Sequence, residues 1–384
     1  MRLLTRMSLC ATLLGLAFAV TAAASANASA FTLAGHVYIN DNTAGTNTIA
    51  AFSRHSDGRL TPLPGSPFAA GGAGPGAPVA SQGSLQVTGS GRYLLAVDAA
   101  SNQISVLRIL PGGALRLVPG GVVGSGGVHP VSIAIHGRLV YVANAGVGGS
   151  DFTGFRLSPW GHLRPIPGST VSVPDGSQPG DVLFNGDGTK LAGTLVGTSQ
   201  IVSFTVGGDG RLTAAPGSPF TAQGLGPFGS EFSPTNPSQL FVSNAHNVGP
   251  DTGTVSAFSV SHDGDLNPIG ASPFADLQTA PCWVEISHDG RFLFAVNTAV
   301  PSISSYLVRG DGSLKLIGST TFKEPAGLAP EDARLSPDGG TLYVVGSGGA
   351  VVTAFRVNGG NLSELASSPA PLPAGATPSG IVVN

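Results

Sequence analysis

One pattern recurs about every 50 residues along this chain of 384 residues, and it constrains the fold more than any other feature. Seven short apolar strands occupy equivalent positions, 46 to 57 residues apart. Repeats of this length predict a protein built from one supersecondary unit that is used many times. The strands are VYIN (37–40), LLAV (94–97), VYVA (140–143), LAGT (191–194), LFVS (240–243), LFAV (293–296) and LYVV (342–345).

Each repeat also carries two tight-turn signals. A turn such as Asp289-Gly290 stands just before most of these strands, and a second turn such as Asp209-Gly210 follows the next β-rich run. Asp-Gly between two apolar runs is typical of a β-hairpin, because both turn residues need positive φ. A fourth, weaker strand is expected to end near GSPF (217–220) or ASPF (271–274). The pattern therefore predicts units of four antiparallel strands.

Seven such units predict an all-β fold, a seven-bladed β-propeller. A single blade cannot bury both of its faces, whereas neighbours in a closed ring bury them and leave no long free edge. The repeats begin with a second strand at HVYIN and finish with a first strand within 377–384. We therefore expect the C-terminal strand to complete the N-terminal blade and close a ring that spans residues 31–384.

Residues 1–30 have the features of a secretory signal peptide. Arg2 and Arg6 precede an apolar run, and the small residues that follow suit cleavage near Ala30. We therefore expect a secreted protein whose mature chain starts near Phe31. The apolar run is too short to span a membrane, so no membrane span is expected. Cys282 is the only cysteine left after cleavage, which means that the ring must close without an internal disulfide.

The charge of the chain limits its partners. Only 10% of the residues are charged, and removal of Arg2 and Arg6 leaves 16 basic and 21 acidic residues, a net charge of about −5. This balance argues against nucleic acid and anionic membrane surfaces as partners. The sequence also has no zinc-protease motif, phosphate loop or nucleophile elbow. We expect a monomer whose partner is an unidentified small molecule or protein.

The repeat resembles one known family. Its pattern of Pro, four residues, an apolar residue and a Ser-x-Asp-Gly turn is clearest at 281–294 and 330–343, and DGxL turns precede GSPF. These features resemble the lactonase-type seven-bladed propellers, which group 6-phosphogluconolactonases with carboxymuconate-cyclising enzymes. The resemblance covers the whole mature chain. It implies the propeller fold and an assignment to the lactonase-like proteins.

The residues that the resemblance implies for catalysis do not match. In the enzymes of the family a Gly-Pro-Arg-His segment opens one first strand, and a Glu follows the Asn that ends the next strand. In this chain Phe228 and Gly229 stand at the Arg and His positions, and Ala245 stands at the Glu position. No catalytic residue therefore transfers from the family, and the catalytic residues stay unknown.

Other polar residues are ligand-binding candidates because the alignment of the first strands brings them towards the central channel. A Pro occupies the same position in six of the seven blades, where it fixes the path of the chain into the innermost strand. The candidates are Asp181, Glu231, Glu285, Glu331 and Asp332 along the channel, with His129, His246 and Trp283 near its mouth. They suit a small polar or cationic ligand; no cofactor is expected, and Ca²⁺ held by carboxylates is the one metal considered.

A structural interpretation of the same residues competes with this one. The acids would then accept backbone hydrogen bonds or pair with Arg334, and Trp283 would fill the core. Glu231 and Glu285 occupy the same position in their repeats, which indicates a shared contact between blades.

Two functions remain open from the sequence. The first is a secreted, non-catalytic propeller that binds a small ligand or protein at its channel face. The second is an exported lactone hydrolase or related cyclase, of the carboxylic-ester hydrolase class, with a rearranged acid–base set. That set would be drawn from Asp181, Glu231, Glu285, His129 and His246. A 6-phosphogluconolactone substrate is disfavoured, because it is cytoplasmic and because the channel segments have no cluster of Arg and Lys for a phosphate.

Overall fold

The structure is a computed structural model that describes residues 31–324 and 326–384, so the signal-peptide prediction lies outside the described residues. Its strands form seven antiparallel sheets, the blades of a propeller. The first three blades contain β1 (Leu33–Asn40), β2 (Gly45–His55), β3 (Leu60–Pro62) and β4 (Phe68–Gly74); β5 (Leu85–Val87), β6 (Tyr93–Asp98), β7 (Gln103–Ile109) and β8 (Leu115–Gly124); and β9 (Pro130–His136), β10 (Leu139–Asn144), β11 (Asp151–Leu157), β12 (Leu163–Pro165) and β13 (Val171–Ser172).

The remaining four blades follow in chain order. They contain β14 (Pro179–Phe184), β15 (Lys190–Leu195), β16 (Gln200–Val206), β17 (Leu212–Ala214) and β18 (Phe220–Thr221); β19 (Pro227–Phe232), β20 (Gln239–Asn244), β21 (Thr254–Val260), β22 (Leu266–Pro268) and β23 (Phe274–Ala275); β24 (Pro281–Ile286), β25 (Phe292–Asn297), β26 (Ser302–Val308) and β27 (Leu314–Thr321); and β28 (Pro330–Leu335), β29 (Thr341–Gly346), β30 (Val351–Asn358), β31 (Asn361–Glu364) and β32 (Ala370–Pro371). The last strand, β33 (Ile381–Val383), returns to the first blade.

The first strands of the blades surround the central axis. Strand β5 contacts β9, and β9, β14, β19, β24, β28 and β33 each contact the next until β33 meets β5 again. This closed circle confirms the predicted seven-bladed propeller. The ring closes through β33, which pairs antiparallel with β1 in the register Val37↔Val383, Tyr38↔Val382 and Ile39↔Ile381.

The fourth strand differs in detail from the prediction. In five blades it is broken in two, and the second piece begins at or after the expected end, as β18 does at Phe220. In four of these blades the break falls at a Ser-Pro sequence, where Pro has no N–H to give to the ladder, and in the third blade it falls at Ser169-Thr170. The Ser hydroxyl pairs with the third strand instead: Ser66 Oγ accepts from the Ala51 N–H at 2.8 Å, and Ser272 Oγ accepts from the Ala257 N–H at 2.8 Å.

The hydrophobic core is divided among the interfaces between blades. Successive side chains of a strand point to opposite faces, so Val37 and Ile39 pack against blade 7 while Tyr38 packs against blade 2. Each of the seven interfaces has its own buried apolar cluster. The interface at the ring closure is therefore built like the other six.

Tyrosines of the second strands also link neighbouring blades. The Tyr38 hydroxyl donates to the Gly113 carbonyl, the Tyr141 hydroxyl to Gly210, and the Tyr343 hydroxyl to Gly58, at 2.7 to 2.9 Å. Each acceptor lies in the turn between the third and fourth strands of the next blade. The turn glycines thus serve the interfaces as well as the hairpins.

Two faces of the ring can be distinguished by their connections. The loop face carries the segments that lead into the first strands and the loops between second and third strands. The turn face carries the hairpin turns between first and second strands, such as the turn at Asp187-Gly188. Among residues 31–324 and 326–384, no helix has the length and hydropathy needed to cross a membrane.

Candidate functional site in the central channel

The backbone before each first strand is shaped by a recurring turn. In five blades the residue before the recurring Pro of the repeat has positive φ. His129 (φ 56°) and Ala280 (φ 59°) are examples. The carbonyl of that residue accepts a hydrogen bond from the residue that follows the second strand, as in Ala145 N–H to His129 O at 3.0 Å. The unusual backbone of His129 therefore belongs to the blade architecture.

The loop-face end of the channel is closed by the segment 79–83, which we call the channel plug. Gln82 holds the one aligned position where the other six blades have Pro. Its side chain crosses the channel: Nε2 donates to the Ser230 carbonyl at 3.0 Å, and Oε1 accepts from the Val284 N–H at 3.1 Å. Gly229 makes room for this side chain, because a Cβ there would lie 2.2 Å from Gln82 Oε1.

The channel plug, which belongs to the second blade, is hydrogen-bonded to each of the six remaining blades. Its partners are Ser379 (to Val79 N), Val131 (to Ser81 Oγ), Gly180 (to Gln82 N), Ser230, Val284 and Asp332 (to Gly83 N), at 2.6 to 3.3 Å. The polar atoms of this buried segment are thus satisfied by the surrounding first strands, as buried polar groups require.

Trp283 completes the closure. Its Nε1 donates to the Ser81 carbonyl at 2.9 Å, and its ring packs edge-on against Phe228 with centroids 5.1 Å apart. Both residues, together with Ala245, belong to one buried apolar cluster. The positions that the resemblance assigns to catalysis are therefore occupied by closely packed, buried groups.

A cavity of about 310 Å³ lies in the channel on the other side of the plug. Residues of two turns between first and second strands, Gly186 and Pro234, belong to its wall, so it opens towards the turn face. Its polar wall consists of Gln82, Gln86, Asp181, Ser230, Glu231, Ser233 and Arg334. Its apolar wall consists of Ile133, Ala134, Ile135, Val182, Leu183, Phe184 and Phe232. We call this space the channel cavity.

Arg334 is the one cation in the wall of the channel cavity, and its charge is already neutralised. Its Nη1 donates to Glu285 Oε2 at 2.9 Å and lies 3.9 Å from Asp332 Oδ1. Burial alone would lower the pKa of Arg334, but Asp332, Glu285 and Glu231 raise it. The guanidinium is therefore permanently charged and held between acids.

Glu285 links two blades as well as pairing with Arg334. Its Oε1 accepts a hydrogen bond from the Leu335 N–H of the next blade at 2.8 Å. The Glu231 carboxyl group likewise accepts a hydrogen bond from the backbone of Ile286 in the next blade. The repeated Glu thus lies where the sequence indicated a shared contact between blades.

Asp181 also lies in the wall of the channel cavity, and hydrogen bonds occupy both of its oxygens. Oδ2 accepts from Ser230 N at 2.9 Å and from Ser230 Oγ at 2.7 Å, while Oδ1 accepts from Ser132 Oγ at 3.2 Å. Burial raises the pKa of Asp181 to about 7.

Glu231 differs from the other acids because one of its oxygens has no partner. Its Oε2 is buried and makes no hydrogen bond to any described residue. Burial, and then the charge of Glu285, raise the pKa of Glu231 well above its ordinary value, while Arg334 lowers it. A buried carboxyl oxygen without a partner is costly, so Glu231 is the group in this wall that most lacks a ligand.

The other candidates lie elsewhere. Glu331 is turned away from the cavity, and its Oε2 accepts from Ser379 Oγ at 2.6 Å. His129 and His246 lie on the loop face, where His246 is exposed and packs against Gly226. Burial lowers the pKa of His129. Asp332 lies between Arg334 and the channel plug. No group of three or more His, Cys, Asp or Glu residues in the described parts of the chain is arranged to hold a metal ion.

Two residues of this region did not stand out from residue type alone. Gln86 lines the channel cavity, and Gln82 closes it. The sequence did contain a signal for Gln82, since this blade alone lacks the aligned Pro. Gln86 occupies the same aligned position as Glu231 and Glu285, but an uncharged side chain at that position does not by itself indicate a site.

Comparison with known proteins agrees with the architecture. The family described as "Lactonase, 7-bladed beta-propeller" matches residues 121–374, about two thirds of the chain. The chain therefore belongs to the lactonase family of seven-bladed β-propellers. A comparison by sequence with curated proteins found no match.

Several solved structures share the fold. The periplasmic gluconolactonase of Pseudomonas aeruginosa superposes with a TM-score of 0.70 at 18% identity, covering 91% of this chain and 98% of that one. A Bacteroides uniformis protein, whose assignment as a 6-phosphogluconolactonase is provisional, has a TM-score of 0.72 at 22% identity, with coverages of 91% and 98%. A Lactobacillus plantarum protein superposes with a TM-score of 0.70 at 20% identity, covering 90% of this chain and 98% of that one. At these identities the likeness extends to the fold alone.

Proposed function

We propose that this protein is an exported, non-catalytic propeller that binds a small molecule in the channel cavity. The observation that carries the proposal is Glu231, which belongs to the wall of a 310 Å³ space and whose Oε2 is buried without a hydrogen-bond partner among the described residues. Ligand sites are typically concave, largely apolar and furnished with a few convergent polar groups. The channel cavity has this composition, with one apolar side and one polar side.

The loop-face end of the channel supports the non-catalytic part of the proposal. The positions of the family's Arg, His and Glu are Phe228, Gly229 and Ala245, and Trp283 and Gln82 pack over them. A lactone needs a general base and a stabilised oxyanion to be hydrolysed. Neither group is present at those positions.

The test is a ligand screen with a blocking variant. The mature chain (31–384) is screened by ligand-observed NMR against a panel of neutral sugars, sugar acids and small amines. In Gln86→Trp an indole fills the cavity without removing any side-chain hydrogen bond of the described residues. Gln103→Trp, at the start of β7, is the matched control. Ligands that bind the wild type and Gln103→Trp but not Gln86→Trp support the proposal. Ligands that bind both variants as well as the wild type contradict it.

A lactone hydrolase is the second candidate, and one observation favours it. Glu231 and Arg334 share the channel cavity, so that a carboxyl group with a raised pKa and a guanidinium face the same space. Such a pair can act as an acid–base group and an oxyanion partner.

A panel of lactones separates the two candidates. Acid release from any lactone that is lost in Glu231→Gln or Glu285→Gln, and retained in Glu324→Gln at an exposed site, would establish the hydrolase. Absence of turnover across the panel, in a protein that binds ligands in the cavity, would establish the binding protein.

A further inference from the structure

The charges around the channel cavity determine what kind of ligand suits it. Four carboxyl groups, on Asp181, Glu231, Glu285 and Asp332, surround the single guanidinium of Arg334. Glu285 and Asp332 pair with that guanidinium. The described residues place no cationic nitrogen within salt-bridge distance of Asp181 or Glu231. When these acids are ionised, the negative charge in the wall is therefore only partly compensated.

The two uncompensated acids are not equivalent. Asp181 accepts three hydrogen bonds from Ser132 and Ser230, which can stabilise its charge. Glu231 Oε2 accepts none. A partner that stabilises the ionised form of Glu231 is therefore a hydrogen-bond donor that carries positive charge, because such a donor supplies both the hydrogen bond and the counter-charge.

We propose that the channel cavity binds a small organic cation, a primary ammonium group on a short apolar body, with the ammonium donating to the carboxylate of Glu231. This inference rests on the proposed function and specifies its ligand class. The amide of Gln86, which makes no side-chain hydrogen bond to the described residues, offers a second acceptor in the same wall. The apolar side, including Leu183 and Phe184, accommodates the hydrocarbon body.

Other ligand classes fit less well. A carboxylate or phosphate would face Glu231 and Asp181, and the only cation nearby is already paired with Glu285. A divalent metal ion needs several oxygen ligands, and the described residues contain no suitable group of three acids or histidines. A neutral alcohol can hydrogen-bond to Glu231 but leaves the net charge uncompensated.

Cation binding is coupled to the protonation of Glu231. The groups that face this carboxyl are Asp181 on β14, Glu285 on β24 and Arg334 on β28, and the lining residues of β5 and β9 carry no charge. A bound ammonium favours the ionised carboxylate, so a proton leaves when the ligand enters. Affinity for the cation therefore rises with pH, by up to about ten-fold per unit below the pKa of Glu231.

The test compares three probes with the same four-carbon body and different charges: butylammonium chloride, 1-butanol and sodium butyrate. Their dissociation constants for the mature chain are measured by NMR titration at matched ionic strength. We expect butylammonium to bind at least ten-fold more tightly than the other two. Glu231→Gln should remove this preference, while Glu324→Gln, at an exposed acid, should retain it.

Each outcome is decisive. Butanol or butyrate that binds as tightly as butylammonium, and is excluded by Gln86→Trp, overturns the cation inference and leaves the proposed function standing. Failure of all three probes and of the wider panel overturns both. If Glu231→Gln does not fold, the wild-type pH series replaces it: butylammonium stays protonated, its affinity should rise with pH while that of butanol stays flat, and a flat series for both overturns the inference.

Discussion

At the scale of single residues, Glu285 shows how a buried charge is retained in this fold. Its carboxylate accepts from the Leu335 N–H of the neighbouring blade and pairs with Arg334 at 2.9 Å. A buried ion pair contributes little net stability against an apolar replacement, but loss of one partner leaves an uncompensated buried charge. Glu285 is therefore required because Arg334 is present.

Glu285→Gln should destabilise the protein by on the order of 3 kcal/mol. The amide oxygen can still accept from Leu335 N, so the loss of stability reports the missing ion pair with Arg334, whose remaining acidic neighbour Asp332 lies 3.9 Å away. Urea unfolding of the variant and the wild type measures this change in the free energy of unfolding. Asp209→Asn, which removes the exposed pair with Arg211, is the control and should change the unfolding free energy little. Similar small changes in both variants would contradict the assignment.

Buried acids should also make stability depend on pH. Burial raises the pKa of Asp41, Asp181 and Glu331 to about 7 and that of Asp276 to about 6. The unfolded chain loses these protons near pH 4, so the folded state binds more protons above that pH. Stability therefore falls as pH rises from about 4 to 7.

The measurement is the melting midpoint as a function of pH. We expect a higher midpoint at pH 5 than at pH 8, and a smaller difference in Asp181→Asn. Exposed acids such as Asp187, whose pKa a hydrogen bond from Thr189 lowers, oppose this trend only below about pH 4. A midpoint that increases from pH 5 to pH 8 would show that the buried acids are not protonated in the folded state.

At the scale of secondary-structure elements, the second strands and the outer turns join neighbouring blades. The hydroxyls of Tyr38, Tyr141 and Tyr343 each reach a turn glycine of the next blade. The contact from Tyr343 to Gly58 links the seventh blade to the first, so it reinforces the ring closure independently of β33.

Tyr→Phe at these three positions should cost about 1 kcal/mol each. The three sites lie in different interfaces, so their effects should add to about 3 kcal/mol in the triple variant. Chemical denaturation of the single and triple variants provides the comparison. Thr205→Val removes a hydroxyl that bonds within one blade at an exposed site, and it should have little effect. A triple variant as stable as the wild type would exclude a role for these links.

At the scale of the whole molecule, closure of the ring determines whether the seven sheets form one cooperative unit. Strand β33 gives blade 1 its innermost strand, and Ile381 and Val382 are buried in the interfaces on its two sides. Without β33 the inner edge of β1 loses its backbone partners and both flanking interfaces are opened.

Deletion of residues 377–384 from a protein of residues 31–384 should therefore destabilise it by on the order of 5 kcal/mol, since full burial of an aliphatic side chain contributes roughly 1.5–3 kcal/mol and hydrogen bonds are lost as well. Thermal melting of the deletion variant against residues 31–384 measures the effect. An unchanged midpoint would mean that the ring does not depend on this closure.

Much of the fold could be predicted from local sequence. The Asp-Gly turns and alternating apolar strands predicted the blades, and their number and the offset of the terminal strands predicted the ring. These features are local or periodic, so they can be read without knowledge of distant contacts. The break in the fourth strand of four blades could also have been anticipated, because Pro at Ser-Pro cannot donate to the ladder.

The candidate site was only partly visible in this way. The sequence indicated which positions approach the channel, Glu231 and Asp181 among them, because strand periodicity fixes which side chains point inward. It did not distinguish Asp181, whose oxygens are occupied, from Glu231, which has a free one. That difference depends on Ser132 and Ser230, which lie 49 residues away on either side.

The number of blades, the strand order and the closure thus follow from short-range patterns repeated along the chain. Which end of the channel is open depends instead on contacts between distant residues. Trp283 reaches the Ser81 carbonyl, and Gln82 Oε1 reaches Val284 N, although 202 positions separate the two residues of each pair in sequence. Such contacts depend on the packing of all seven blades, and packing sets the burial, the hydrogen-bond partners and hence the charge state of every acid in the channel.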